Sequence, residues 1–383
     1  MSTKTKSIMV LMAAMLLLVA GCGKKTVLPT SVLETPEYHY KNGLKYLDND
    51  KIDDAMKSFD RVIELSPKSP LGYIGRGLAF GRKGEFKPAL ENMLKAKGLD
   101  SGIEANIGMI RLASMERAKG WVVDAESEFN AAKKRDLNSA KLNYFMAMAY
   151  KVALDFDKAA PLFKTVLDMN KEFTSEANAE WAVIQKIQRA SPGTEIGRKI
   201  ALIDKIDRAD IAALFDQELN LEKLFTRRGT RAYDTSFKAP TESSTAMQTE
   251  TAVKLEAATD IAGHWLKPSI DVVLKLQIRG LEAGPNHAFD PDKLVTKGEF
   301  ALMLEDIMAK VSGDEKLATK FLGATSPFPD IRNDQYFFNA VMTATSRGYL
   351  EADKATGEFK PGDPVSGTDA LLVIRAFKDQ LKF

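Results

Sequence analysis

Small and large apolar residues recur along residues 36–174 at the spacing of paired helices. Ala55, Ala89, Ala125 and Ala159 are separated by 34, 36 and 34 residues, and four positions after each stands Phe59, Met93, Phe129 or Phe163. Twelve positions before them lie Gly43, Gly77, Ala113 and Ala147. Tyr46, Phe80 and Tyr150 come three residues after the small position, and Pro67 closes the first unit. The third unit is looser, with Glu116 in place of the aromatic and two extra residues nearby. Residues four apart share a helix face, so each unit reads as two antiparallel helices in close contact, the aromatics filling the gap to the next. No such unit can bury its apolar face alone, and neighbours must stack. Residues 176–190 read as a capping helix, ended by Ser191-Pro192-Gly193.

A second pattern repeats near the C-terminus. Phe289-Asp290-Pro291 returns as Phe359-Lys360-Pro361, and Val295-Thr296-Lys297-Gly298-Glu299 as Val365-Ser366-Gly367-Thr368-Asp369, both 70 residues on. Upstream, Asp260-Ile261-Ala262-Gly263-His264-Trp265 is echoed by Phe328-Pro329-Asp330-Ile331 through Tyr336-Phe337. Each echo leads into a helix, with Ile270, Val273, Leu274 and Ile278 in one and Ala340, Val341 and Ala344 in the other, closed by Gly280 or Gly348. Ile206-Asp207-Arg208-Ala209-Asp210 followed by Ile211 to Leu214 is a third trace, without a full opening before it. Thr226 to Glu256, rich in Thr, Ser and Ala, reads as a flexible linker or extended crossover.

The first array resembles the tetratricopeptide repeat, a helix–turn–helix unit of about 34 residues. The resemblance implies a concave binding face lined by helix-A positions 5 and 9: Tyr40 and Leu44, Ile74 and Leu78, Ile110 and Ser114, Tyr144 and Met148. That set is apolar and aromatic, and lacks the Lys/Asn pairs by which some members clamp a terminal carboxylate. It either takes a protein or peptide or is covered by the chain's own C-terminal helices. Asp48 to Asp54 superficially looks like a calcium loop, but Ile52, Asp53 and Phe59 stand where a ligand, the glycine and the glutamate are required. It reads as the polar turn between the first two helices.

The second repeat, over residues 259–308 and 326–378, resembles the S-layer homology module. Its elements are an Asp…His-Trp opening, a helix, a glycine turn, Phe-x-Pro and a Thr-Arg-Ala-Glu-like helix start. Such modules work in threes about a pseudo-threefold axis, and residues 194–225 are expected to supply a partial third. In the family, the tryptophan, the glycine turn and the arginine line grooves for cell-wall polysaccharide. The resemblance therefore implies Arg208, Trp265, Thr296, Lys297 and Tyr336 as glycan-binding positions. The pattern also departs from the family: Lys297 and Gly367 replace the arginine, and Tyr336 or Phe337 replaces the second tryptophan. Thr296 and Ser366 are good N-caps with Glu299 and Asp369 three residues on, so part of the motif serves folding alone. Trp265 fits packing on its own core as well as stacking on a sugar.

The N-terminus has basic Lys4 and Lys6, an apolar run from Ile8 to Ala20, and Val19-Ala20-Gly21-Cys22. This is the order of a secretory signal, and the run is short of the ~20 residues a spanning helix needs. The tetrapeptide resembles the lipobox of bacterial lipoproteins, which implies cleavage before Cys22 and acylation of that residue. Cys22 is the only cysteine, so the exported chain forms no internal disulfide. Several acyl chains on one residue make a stable anchor to membrane lipid, where one chain holds only reversibly. Gly23 in place of aspartate favours an outer membrane, facing the periplasm. The 54 basic and 52 acidic residues are well mixed, which gives no basic face for nucleic acid. His39, His264 and His287 form no metal-ligand spacing. No catalytic constellation, metal or cofactor is expected.

The expected fold is mainly α: a tetratricopeptide solenoid followed by a mostly helical S-layer-homology region. Its parts are a signal peptide at 1–21, a tether at 22–35 and the repeat domain with its cap at 36–192. After these come the partial module at 194–225, a linker at 226–258 and two modules at 259–383. The expected work is binding, as a membrane-anchored scaffold gripping peptidoglycan or wall polysaccharide and recruiting a protein. The alternative is an accessory for assembly or secretion, with the S-layer-homology region purely structural.

Overall fold

The computed structural model describes residues 34–100, 102–229 and 258–380. Cys22 and most of the 226–258 linker lie outside them. Among the described residues there are sixteen α-helices and no strand, and the chain divides into compact units at Asn178/Ala179. The fold is mainly α: a helical-repeat solenoid in the first unit and a mostly helical second unit.

The first unit holds four helix pairs: α1 (Pro36–Asp48) with α2 (Ile52–Leu65), α3 (Pro70–Arg82) with α4 (Phe86–Leu99), α5 (Glu104–Glu116) with α6 (Trp121–Lys133), and α7 (Ala140–Val152) with α8 (Phe156–Met169). Side chains of Thr35, Ser69 and Ser139 cap α1, α3 and α7 by accepting from backbone N–H groups, which satisfies donors that a helix start leaves open. Three of the turns share one construction. Asp50, Gly84 and Leu154 are left-handed, and the next N–H, of Lys51, Glu85 or Asp155, returns to the carbonyl of Tyr46, Phe80 or Tyr150 at 2.8–2.9 Å. That is a Schellman-type helix end, repeated at the predicted aromatic. The third unit closes differently, through a longer turn at 117–120 in which Arg117 and Gly120 are both left-handed. The extra length of that unit is partly taken up there.

The small positions do what their spacing predicts. Ala55, Ala89, Ala125 and Ala159 are fully buried. A Cβ on Gly43 would run into the Phe59 ring, and one on Gly77 would sit 3.1 Å from the Ala89 carbonyl oxygen. The first helices of successive pairs also touch one another (α1 to α3, α3 to α5, α5 to α7), whereas the second helices make no comparable contact among the described residues. The first helices therefore form the closer, inner layer.

Helix α9 (Thr174–Ala190) begins in the first unit, but from Ala179 onward it belongs to the second. This corrects the assignment of the whole capping helix to the solenoid. The reason is packing: Arg375 donates to the Arg189 carbonyl at 2.5 Å, and Lys186 lies 3.6 Å from Asp369. The second unit continues with α10 (Glu195–Ile200), α11 (Arg208–Gln217), α12 (Leu221–Gly229), α13 (Lys267–Lys275), α14 (Lys297–Ser312), a 3-10 turn (Glu315–Thr319), α15 (Phe338–Ser346) and α16 (Gly367–Gln380). Helix α12 continues through Gly229, so the stretch read as linker begins as helix.

A ring of backbone hydrogen bonds organises this unit. Ile206 N–H donates to Val365 O at 2.9 Å, Val365 N–H to Val295 O at 3.1 Å, and Val295 N–H to Ile206 O at 3.0 Å. Each of these residues directly precedes the N-cap of α11, α14 or α16, so three equivalent helix starts meet about one centre. Helix α13 packs on α11 and α15 on α14, and the end of α9 touches α16 through the Arg375 and Lys186 side-chain contacts.

Candidate functional site

The helix starts around the ring carry the predicted glycan residues, and the structure gives most of them an internal partner. Asp260 accepts from the N–H groups of Phe289 and Asp290 at 2.8 and 2.7 Å, and Asp330 from those of Phe359 and Lys360 at 2.9 and 2.6 Å. These two carboxylates hold the Phe-x-Pro corners, where Asp290 and Lys360 are left-handed. Burial is the largest single effect and works against the charge on Asp260, but the backbone N–H donors and the Arg208 charge together outweigh it and hold its carboxyl below the usual range.

Each corner then receives a cation from a neighbouring helix start. Arg208 donates to the carbonyls of Phe289, Gly280 and Glu282 at 2.7, 2.6 and 2.8 Å, and its guanidinium lies 4.7 Å from the Phe289 ring centre. Lys297 donates to the carbonyls of Glu351 and Phe359 at 2.7 and 2.9 Å, 4.3 Å from the Phe359 ring centre. Burial lowers both pKa values. At the third start, Gly367 packs against the Ile200 backbone so closely that a Cβ has no room, and its N–H donates to Ile203 O at 2.9 Å. No arginine side chain fits at position 367 unless the Ile200 backbone moves.

Thr296 is a capping residue: its hydroxyl accepts from Glu299 N–H at 3.3 Å and bonds the Glu299 carboxylate at 3.0 Å. All three Arg208 nitrogens are likewise engaged within the fold. Lys297 keeps one ammonium hydrogen, and it opens on a groove of about 700 Å³ lined also by Arg189, Gly348, Tyr349, Glu351 and Asp369. Trp265 is 62% exposed and Tyr336 72% exposed. Both stand two residues ahead of a first helix, α13 or α15, so Tyr336 rather than Phe337 holds the tryptophan position. The exposed Trp265 is not packed in the core, and neither aromatic lines the Lys297 groove.

In the solenoid, four of the residues expected to line the groove are core. Tyr40, Ile74, Leu78 and Ile110 are buried, and the first three share one apolar cluster with Phe59 and Met93. Counting positions along a helix identifies a face, but the inner layer is close enough to cover the side chains on it. Leu44, Tyr144, Met148 and Ser114 remain partly open, with Tyr144 stacked on Phe173 at 4.8 Å. The residue that sequence reasoning missed is Arg111 on α5, half-buried, its guanidinium 4.6 Å from the Phe145 ring centre on α7. Among the described residues no helix is long and apolar enough to cross a membrane, and no cluster could hold a metal ion.

Helix pairs stacked in one unit and three helix starts closing a ring in the other define a modular, all-helical architecture among the described residues. Residues 327–371 match the model of the S-layer homology domain. The chain therefore carries an S-layer homology domain at its second full repeat. The crystal structure of a thermophilic TPR protein in Thermus thermophilus is similar to this chain at 18% identity and a TM-score of 0.35, over 51% of this chain and 98% of that one. No curated protein matches the chain.

Proposed function

We propose that this protein is an exported envelope lipoprotein, held to membrane lipid through acylated Cys22, that attaches to the cell wall and recruits a protein. The outer membrane, with the chain facing the periplasm, is its place in this reading. The S-layer-homology region grips peptidoglycan or wall polysaccharide, and the solenoid presents the protein-binding surface. The observation that carries the wall-binding half is the Lys297 groove. It is lined largely by residues of the matched module and keeps one ammonium hydrogen unpaired. An ammonium so placed suits an anionic or hydroxyl-rich ligand.

A second reading draws on the same side chains. Arg208, Lys297 and Thr296 all have partners within the fold, as expected if the region is a scaffold in an accessory of envelope assembly or secretion. Pulldown of the full-length protein with purified, protein-free cell wall separates the two: wall attachment expects retention that falls with added salt, and the accessory reading expects none. The anchor is tested by labelled fatty acid. Cys22→Ser should leave a species without acyl label and no longer held by membranes, and label retained by the mutant would remove the lipoprotein reading.

A further inference from the structure

Two donors on the inner layer of the solenoid have no hydrogen-bonding partner among the described residues. Arg111 makes no side-chain hydrogen bond or ion pair there; its guanidinium lies instead over the Phe145 ring. The ring in turn packs edge-on to Phe173 at 5.5 Å. Tyr40, from the first pair, also has no hydrogen bond to its hydroxyl. Burial pushes the Tyr40 hydroxyl up to about 12, with Arg111 pulling it down and Glu104 pushing it up, so the phenol and the guanidinium lie within electrostatic reach. Burial likewise lowers Arg111, against the pull of Tyr40, Asp48 and Glu104. Neither acid is bonded to it: Asp48 is exposed, and Glu104 is taken by Lys141 at 2.6 Å. A half-buried guanidinium without a bonded acid has its N–H donors to offer, and its planar fork fits a carboxylate bidentately.

We infer that Arg111, held against the Phe145 ring, is a carboxylate-recognition site for an acidic side chain of an extended partner peptide. The inference rests on the solenoid's being the protein-binding surface and names what that surface selects. An acidic side chain fits better than a chain terminus because Arg111 lies in the third of four helix pairs, with the aromatic cluster of Tyr144, Phe145 and Phe173 beyond it. A peptide running along the inner layer passes the site in mid-course. The segment 23–33 is no substitute, since it contains neither Asp nor Glu.

The test uses full-length Cys22→Ser protein and fluorescein-labelled dodecapeptide pools with randomised apolar flanks, read by anisotropy. One pool has a central Glu and an amidated end, the second a central Gln and an amidated end, and the third a central Gln and a free terminal carboxylate. The Glu pool should bind at least tenfold tighter than both Gln pools. Arg111→Ala should remove that preference, and Arg111→Lys should keep part of it. Arg111→Ala gives up the stacking on Phe145 and should melt a few degrees lower at most. Arg111→Lys keeps the charge, so an Arg111→Lys protein that melts like the parent yet shows no Glu preference would overturn the inference. Equal binding of the Glu and Gln pools would overturn the carboxylate site yet leave the protein-binding surface standing. Preference for the free terminus would overturn the mid-course placement, and no binding by any pool would remove both.

Discussion

Asp207 and Asp210 cap α11 reciprocally, and both capping groups are carboxylates. Asp207 accepts from Asp210 N–H at 2.8 Å, and Asp210 accepts from Asp207 N–H at 3.3 Å. Burial first, then the charge of Asp207, pushes Asp210 up to about 6, with His264 pulling slightly the other way; burial raises Asp207 as well. The folded state therefore holds this proton more tightly than the unfolded chain. The group's contribution to stability is full below about 4 and is lost as the pH rises through about 6. A tenfold change in proton affinity corresponds to about 1.36 kcal/mol. Because the two carboxyls titrate as a pair, their ionisation at pH 7 costs on the order of 2 kcal/mol. Asp210→Asn keeps an acceptor for the Asp207 N–H and removes the charge. It should raise the melting temperature of the second unit at pH 7 by several degrees while changing little at pH 4. Melting curves of parent and mutant that stay parallel across that range would show that Asp210 does not titrate in this way. The aspartate at position 210 is plain in the sequence, but its environment is not: the burial that shifts it comes from chain far away, as do the Lys293 and Pro291 carbonyls that bond the adjoining N–H groups.

At the scale of the helix pair, small residues set the spacing and turns set the register. Ala89 is fully buried, and its carbonyl lies 3.1 Å from where a Cβ on Gly77 would stand. Ala89→Leu adds volume with nowhere to go, which should cost ~1–3 kcal/mol. Thermal unfolding of the full chain followed by circular dichroism should show a solenoid transition several degrees lower. An unchanged transition would mean that the helices are not in contact at that residue. This level of organisation was legible because its causes are local and recur: alanine at a contact, phenylalanine four residues on, and an aromatic at the helix end. What could not be read was which side chains the next pair covers. Ile74 and Leu78 occupy the face assigned to binding, yet they are core, because the inner layer is too close to leave them open. Arg111 went unnoticed for the complementary reason. One arginine among 54 basic residues carries no periodic signal, and its significance lies in the absence of a bonded acid.

For the whole molecule, the ring through Ile206, Val295 and Val365 determines which wall-binding predictions are informative. Arg208 and Lys297 reach carbonyls lying 54 to 81 residues downstream, contacts that no local pattern reveals. Hydrogen bonds to charged groups contribute about 1.5–3 kcal/mol each. Arg208→Ala with Lys297→Ala should therefore loosen the ring before it reports on a ligand, and lost wall retention in that double mutant would be ambiguous. The exposed aromatics are cleaner probes. Trp265 and Tyr336 hold equivalent places ahead of α13 and α15 and are mostly open to solvent, so replacing each by alanine should leave the melting temperature within a few degrees. If they are stacking platforms for sugar rings, Trp265→Ala/Tyr336→Ala protein should be retained on purified wall at least fivefold less than the parent. Parent binding should also weaken between low and physiological salt, where the Debye length falls to ~8 Å, because the ammonium at Lys297 contributes the charge. Full retention by the double mutant would exclude the aromatics and leave the Lys297 groove as the contact. Retention indifferent to salt as well would exclude the groove's ammonium, and the ring would then be a scaffold whose exposed aromatics serve another partner.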